Sequence, residues 1–85
     1  MNKINEALDE IIKIECPTGE LEKRINNILV DYDLINKNTI VTEDETLNTI
    51  DAKAFCANTS NGRLVVMARS GMDDYVATVV SAYIR

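Results

Sequence analysis

The sequence predicts a single α+β domain over residues 1–85, with a small antiparallel sheet of about three strands. An N-terminal helical hairpin and a C-terminal helix are expected to cover one face of this sheet. Two observations support this prediction. Apolar residues recur at helical spacing near the N-terminus and again after Ser70. Between those regions, the pair Asn61-Gly62 separates two apolar runs, which is typical of a β-hairpin.

The first predicted helix covers about residues 2 to 15. Its apolar residues follow the i, i+3, i+4, i+7 pattern, and acidic and basic residues occupy the other side. Pro17 is expected to end it, because the proline ring removes a hydrogen-bond donor and clashes with the preceding turn. The apolar stripe consists of Ile4, Ala7, Leu8, Ile11 and Ile12.

A second helix is predicted immediately after Pro17. Thr18 is a candidate N-cap, and Glu20 and Glu22 then lie in the first turn, where the helix dipole favours negative charge. The short link predicts that the two helices pack as an antiparallel hairpin. The apolar stripe of this helix is Leu21, Ile25, Ile28, Leu29 and Tyr32.

The middle of the chain allows two interpretations. Ile40 and Val41 form a candidate short strand after a turn at residues 36–39. Thr42 and Glu45 have the spacing of a capping box, which would begin a helix over residues 43–57. Alternation of apolar and polar residues instead predicts a hairpin with strands near 49–57 and 63–69, which is the interpretation we favour.

The C-terminal segment also allows two interpretations. An apolar stripe at helical spacing predicts a helix over residues 72–84, with Ser70 near its start and Arg85 at its negative end. The β-branched residues favour a strand, but their cost in a helix is smaller than the gain from burying such a stripe. We therefore expect a helix, with a final strand (an ααββββ order) as the alternative. The stripe is Met72, Tyr75, Val76, Val79, Val80 and Tyr83.

Composition argues against an enzyme. The chain has no histidine, so a Cys–His or Ser–His nucleophile pair cannot form, and we expect no catalytic residue, cofactor or metal. Cys16 and Cys56 are too far apart for a C-x-x-C motif and are expected to be buried, reduced thiols. The acidic residues around Asp31 do not match a calcium-binding loop, because Ile35 stands where an oxygen ligand is required.

The charge distribution points to a protein partner. A net charge of -5 with scattered basic residues would repel a phosphate backbone, and no apolar run resembles a signal peptide or a membrane span. We therefore expect a cytoplasmic protein that does not bind nucleic acid or membranes directly. Small acidic inhibitors encoded by phages and mobile elements share this profile, although that is only an association.

The sequence-based hypothesis is a small acidic binding module that occludes or regulates a larger protein through a basic groove on that partner. The chain is also expected to form a homodimer, because a small core gains from burial between copies. The alternative is a homo-oligomer that binds a small ligand or nucleotide between protomers, through Arg69, Ser70 and Gly71. The residues predicted to contact the protein partner are Asp31, Asp33, Glu43, Asp44 and Glu45.

Overall fold

The computed structural model describes residues 3–34, 40–70 and 75–85. These residues form two helices and a curled, five-stranded antiparallel sheet. The helices are α1 (Lys3–Ile12) and α2 (Leu21–Asp31). The strands are β1 (Glu15–Pro17), β2 (Thr42–Glu43), β3 (Lys53–Thr59), β4 (Gly62–Ser70) and β5 (Val76–Ile84). The strand order is β1-β5-β4-β3-β2, and short 3₁₀ turns cover Thr18–Glu20 and Glu45–Leu47.

The predicted helical hairpin is wrong because a strand lies between the two helices. The α1 helix ends at Ile12, earlier than Pro17, and residues 15–17 then pair with β5. Pro17 fits at the end of this edge strand, where a missing N–H costs little. Thr18 does not cap α2, which begins at Leu21 with Glu20 in the N-cap position. Cys16 points into the core and is buried, as expected for a reduced thiol.

The predicted C-terminal helix is also wrong, because residues 76–84 form β5. This strand lies between β4 and β1 and exchanges hydrogen bonds with both, so it is held by partners far away in the sequence. Its burial alternates: Ala77 and Val79 are buried, whereas Val76, Thr78 and Val80 are exposed. The adjacent β-branched residues thus divide between the two faces of a sheet. The alternative ααββββ order is close to the structure but lacks β1.

The central hairpin is confirmed, with shifted strand limits. The β3 and β4 strands pair over seven residues each, and Ser60 and Asn61 form the turn between them. Gly62 follows with φ of 124°, a conformation that side chains rarely adopt. A Cβ atom at this position would lie 2.9 Å from Ile84 Cγ2. The predicted helix over 43–57 does not form, and the predicted strand at Ile40 and Val41 occurs two residues later, as β2.

One face of the sheet packs against both helices and forms the main core. We call this the inner face. It receives the apolar side of α1 and of α2. Strands β3 and β4 contribute every second residue, and β5 contributes Ala77 and Val79 before its register shift. The buried residues of this core are Ile4, Ala7, Ile11, Cys16, Leu21, Ile25, Leu29, Leu34, Val41, Phe55, Ala57, Leu64, Val66, Ala68, Ala77 and Val79.

The outer face of the sheet carries a second, smaller group of buried residues. Ala54, Cys56 and Val65 are almost inaccessible to solvent but do not belong to the main core. Residues 44–48 pack on the β3 side of this face, whereas Val80 and Tyr83 of β5 are about half exposed. As far as residues 3–34, 40–70 and 75–85 are concerned, the outer face is therefore covered beside β3 and half exposed beside β5.

Candidate interaction surface

The acidic segment, which we define as residues 42–46, has a fixed conformation. Its first two residues form β2, and the backbone N–H of Asp44 donates to the carbonyl of Ala54 at 2.8 Å. The Asp44 carboxylate then accepts from the backbone N–H of Thr46 at 3.0 Å and from the Thr46 hydroxyl, which caps the following 3₁₀ turn. Asp44, rather than the predicted Thr42, therefore provides the cap.

Asn48 anchors the end of this segment to the sheet. Its side-chain oxygen accepts a hydrogen bond from the backbone N–H of Ala54 at 2.7 Å, and its side-chain nitrogen donates to Glu43 at 2.8 Å. One amide side chain thus joins β3 to an exposed carboxylate of β2. The side chains of Glu43 and Glu45 remain exposed on a backbone that these bonds restrain.

Asp44 also forms an ion pair with Arg63 of β4. The Arg63 Nη2 and Asp44 Oδ2 atoms are 3.3 Å apart, and the Asp44 side chain is only 21% exposed. The hydrogen bond from Thr46 lowers the pKa of the Asp44 carboxyl, with a smaller contribution from Arg63. Asp44 is thus held as an anion by its own chain, so it presents less charge to a partner than Glu43 or Glu45.

Both cysteines are free and buried. Burial raises the pKa of the Cys16 thiol, which favours its protonated, unreactive form. Cys56 is buried on the outer face, and its Sγ atom lies 4.0 Å from the Asp44 carboxylate.

The predicted partner-binding residues form two separate groups, one at the end of α2 near the β3–β4 turn and one in the acidic segment beside β3. Asp31 ends α2, and Asp33 adopts a positive φ of 56°, which aspartate tolerates. The carbonyl of the next residue, Leu34, accepts from the N–H of Ser60 at the end of the β3–β4 hairpin. Thr42 pairs with Cys56, four residues away along β3, so the two groups are separated by about 13 Å or more along the strand.

The residues of the alternative ligand site do not converge. Arg69 and Ser70 are consecutive in β4 and therefore point to opposite faces. Ser70 lines a cleft of about 280 Å³ together with Lys53 and residues 48–52, whereas Arg69 does not contribute to it. Gly71 lies outside the described residues.

Sequence reasoning missed the residues that fix the acidic segment. Arg63 and Asn48 were not identified, because an isolated arginine after a turn and an asparagine in a polar run have many possible partners. The spacing of Asp44 and Thr46 is typical of a capping turn and could have indicated the role of Asp44. The exposure of Val80 and Tyr83 was also missed, because it depends on β5 being a strand.

Within residues 3–34, 40–70 and 75–85, no cluster of three or more cysteine, aspartate or glutamate side chains could hold a metal ion. None of the helices among these residues is long and apolar enough to cross a membrane. Comparison with known protein families, curated protein sequences and solved structures gives no match for this chain.

Proposed function

We propose that this chain binds a larger protein through its acidic segment and thereby occludes or regulates a basic groove on that partner. The observation that carries the proposal is the restrained geometry of the segment. Glu43 and Glu45 project from a backbone that is tied to β3 and β4 by Asp44 and Asn48. A prearranged segment loses less conformational entropy on binding than a mobile loop would.

The charge of the molecule supports this choice of partner. The net charge is -5, and the exposed carboxylates of Asp31 and Asp33 add negative charge near the β3–β4 turn. Such a field attracts a basic surface and speeds its association, mainly through the on-rate. It also disfavours nucleic acid and anionic membranes.

The test is capture of protein from a lysate of the source organism, followed by measurement of the association rate with the captured partner. The variant Asp31→Lys/Glu45→Lys reverses two exposed charges and leaves Asp44 and Asn48 in place. We expect its on-rate at low salt to fall roughly tenfold, and the difference from the wild type to shrink as salt is added.

The matched control is Asp9→Lys/Glu22→Lys, which makes the same change in net charge at exposed positions on the helices. Its on-rate should fall less than that of the first variant. Equal effects of the two variants would show that only net charge matters and would contradict the assignment of the surface.

A second candidate function is small-ligand binding in the cleft beside Ser70 and Lys53. Its volume of about 280 Å³ is close to the lower limit of ordinary ligand pockets. Nucleotides and other anionic metabolites can be screened by thermal unfolding, since a ligand that binds only the folded state raises the melting temperature. A rise that Lys53→Met abolishes, without any captured protein, would favour this candidate over the first.

A further inference from the structure

The edge of β5 that faces away from β4 is only partly covered. The short β1 strand pairs with Val76 to Thr78, and the N–H of Val79 donates to the carbonyl of Ile14. Among the described residues, none pairs with this edge from Val80 to Ile84, although β4 covers the other edge over the same stretch. An uncovered strand edge is a template for another strand.

The hydrogen-bonding pattern identifies the groups that face outwards. Arg85 donates its backbone N–H to the carbonyl of Arg63, and residues of a strand alternate between their two neighbours. Tyr83 and Ser81 therefore face β4 with their backbone groups, and Ala82 and Ile84 direct theirs to the open edge. Ala82 of one copy can therefore lie opposite Ile84 of a second, antiparallel copy, and the backbone groups of the two residues can exchange hydrogen bonds.

The charges around this open stretch are opposite at its two ends. Glu15 of β1 lies opposite Thr78 at one end, and Arg85 lies at the other end, and both side chains are exposed. An antiparallel copy of the same stretch brings its arginine to the end where the first copy has its glutamate. A parallel copy would place like charges together.

We propose that a second copy of this chain pairs antiparallel with residues 81–85, so that the two sheets form one continuous sheet across a twofold axis. The axis passes beside Tyr83. In this register Ala82 of one copy exchanges hydrogen bonds with Ile84 of the other, and the two Tyr83 side chains are neighbours on the outer face. Tyr83, which is 45% exposed, loses solvent contact there.

The neighbouring structure selects this register. A twofold axis at Ala82 would place Arg85 of the second copy opposite Val79, where Ile14 already bonds. With the axis at Tyr83, Arg85 of the second copy lies opposite Ser81. Since Ser81 and Thr78 pair with Met67 and Arg69, two rungs of the sheet separate them, and the Cα atoms of this arginine and Glu15 are about 7 Å apart, which the two side chains can span.

Cysteine cross-linking tests the register directly. In Tyr83→Cys the two new thiols would belong to a pair whose Cα atoms are about 4.5 Å apart, a separation that a disulfide allows. We expect mild oxidation to convert most of this variant into a covalent dimer. The control Val76→Cys has similar exposure on the same strand, but β1 covers its edge, so it should remain largely monomeric on a denaturing gel.

A charge exchange provides a second test at exposed positions, where folding is not at risk. Arg85→Glu and Glu15→Arg should each weaken the dimer roughly threefold to tenfold in sedimentation equilibrium. The double variant should return to within about twofold of the wild type, since the opposite charges meet again.

Three results would overturn the proposal. They are a wild-type protein that stays monomeric up to about 1 mM, equal cross-linking of the two cysteine variants, and a double charge variant no tighter than the single ones. A monomer whose β5 edge becomes protected only in the presence of another protein would identify a foreign strand as the occupant. None of these results depends on the acidic segment, so this proposal and the proposed function can fail separately.

Discussion

The two sides of the sheet end in different ways. On the β3 side, the two-residue strand β2 is followed by a segment rich in carboxylates, and side-chain hydrogen bonds hold that segment in place. On the β5 side, the three-residue strand β1 covers only part of a nine-residue strand. Short edge strands and charges prevent unwanted strand pairing. By this criterion the carboxylates protect the edge beside β2, whereas residues 80–84 of β5 carry no such charges and pair with no other described residue on their outer edge.

The two sides also differ in what stabilises them. The acidic segment depends on a few polar contacts centred on Asp44 and Asn48. The end of β5 depends on packing. The Ile84 side chain lies against Gly62, where a Cβ atom would be too close to it, and it also packs against the main core. Substitutions on the β5 side should therefore have larger effects on stability than those on the acidic side.

The largest effect is expected for Gly62→Val. A side chain here would require a rarely occupied backbone conformation and would clash with Ile84 Cγ2, at 2.9 Å from the new Cβ atom. We expect the free energy of unfolding to fall by about 3 kcal/mol. Urea unfolding followed by circular dichroism measures it.

The matched control for this change is Gly19→Ala. No atom outside its neighbours lies within 4 Å of a Cβ at that position, so the change should alter stability by less than about 1 kcal/mol. A Gly62→Val protein as stable as the wild type would mean that the end of β5 is not docked against the hairpin.

An intermediate effect is expected for Asn48→Ala. The backbone N–H of Ala54, a fully buried residue, would lose the side-chain oxygen that accepts its hydrogen bond. The cost of such a loss is about 1–3 kcal/mol. Amide hydrogen exchange at Ala54 should accelerate together with this loss of stability.

Asn27→Ala serves as the comparison, since Asn27 is exposed on α2 and alanine favours a helix. Its stability should equal or slightly exceed that of the wild type. If Asn48→Ala behaved in the same way, the acidic segment would not be anchored by this side chain.

Local patterns predicted α1, α2 and the central hairpin, because the residue spacing that specifies each of them lies within a short stretch of sequence. The apolar stripe of α1 and the Asn61-Gly62 pair are examples. The C-terminal strand was predicted wrongly, because the spacing of Val76, Val79 and Val80 fits a helix as well as a bulged strand, and only pairing with distant strands decides between them. The register shift beside Met67 and Ala68 leaves Val80 without a partner on β4, so Val80 and Tyr83 share the outer face although they are three residues apart, as they would on a helix.

The candidate site was predictable in its charge and not in its geometry. The acidic run is visible in the sequence, and Glu43 and Glu45 are exposed as a charged run usually is. The role of Arg63 follows from the β3–β4 hairpin register, which places it near Asp44, nineteen residues away. The role of Asn48 follows from the turn that returns its side chain to Glu43 and Ala54. The three-residue strand β1 could not be predicted, because so short a segment has no detectable periodicity.

The smallest effect is expected for Asp44→Asn, which retains an oxygen that can accept from Thr46 but removes the charge. Hydrogen bonding from Thr46, and then Arg63, lowers the pKa of the Asp44 carboxyl below its usual 3.8 in the folded chain. A lowered pKa means that the anion contributes stability above about pH 4, and that this contribution is lost as the pH falls through the usual value towards the folded one.

The wild type should therefore be more stable than Asp44→Asn at neutral pH, and the two proteins should converge on acidification. Urea unfolding midpoints between about pH 7 and pH 2 provide the measurement. Asp9→Asn makes the same chemical change at an exposed position on α1, and its difference from the wild type should vary less with pH. A constant difference between wild type and Asp44→Asn across this range would show that the ion pair with Arg63 adds nothing to the order of the acidic segment. The restraint would then come from neutral hydrogen bonds alone, and the protonation of Asp44 would not affect how Glu43 and Glu45 are presented to a partner.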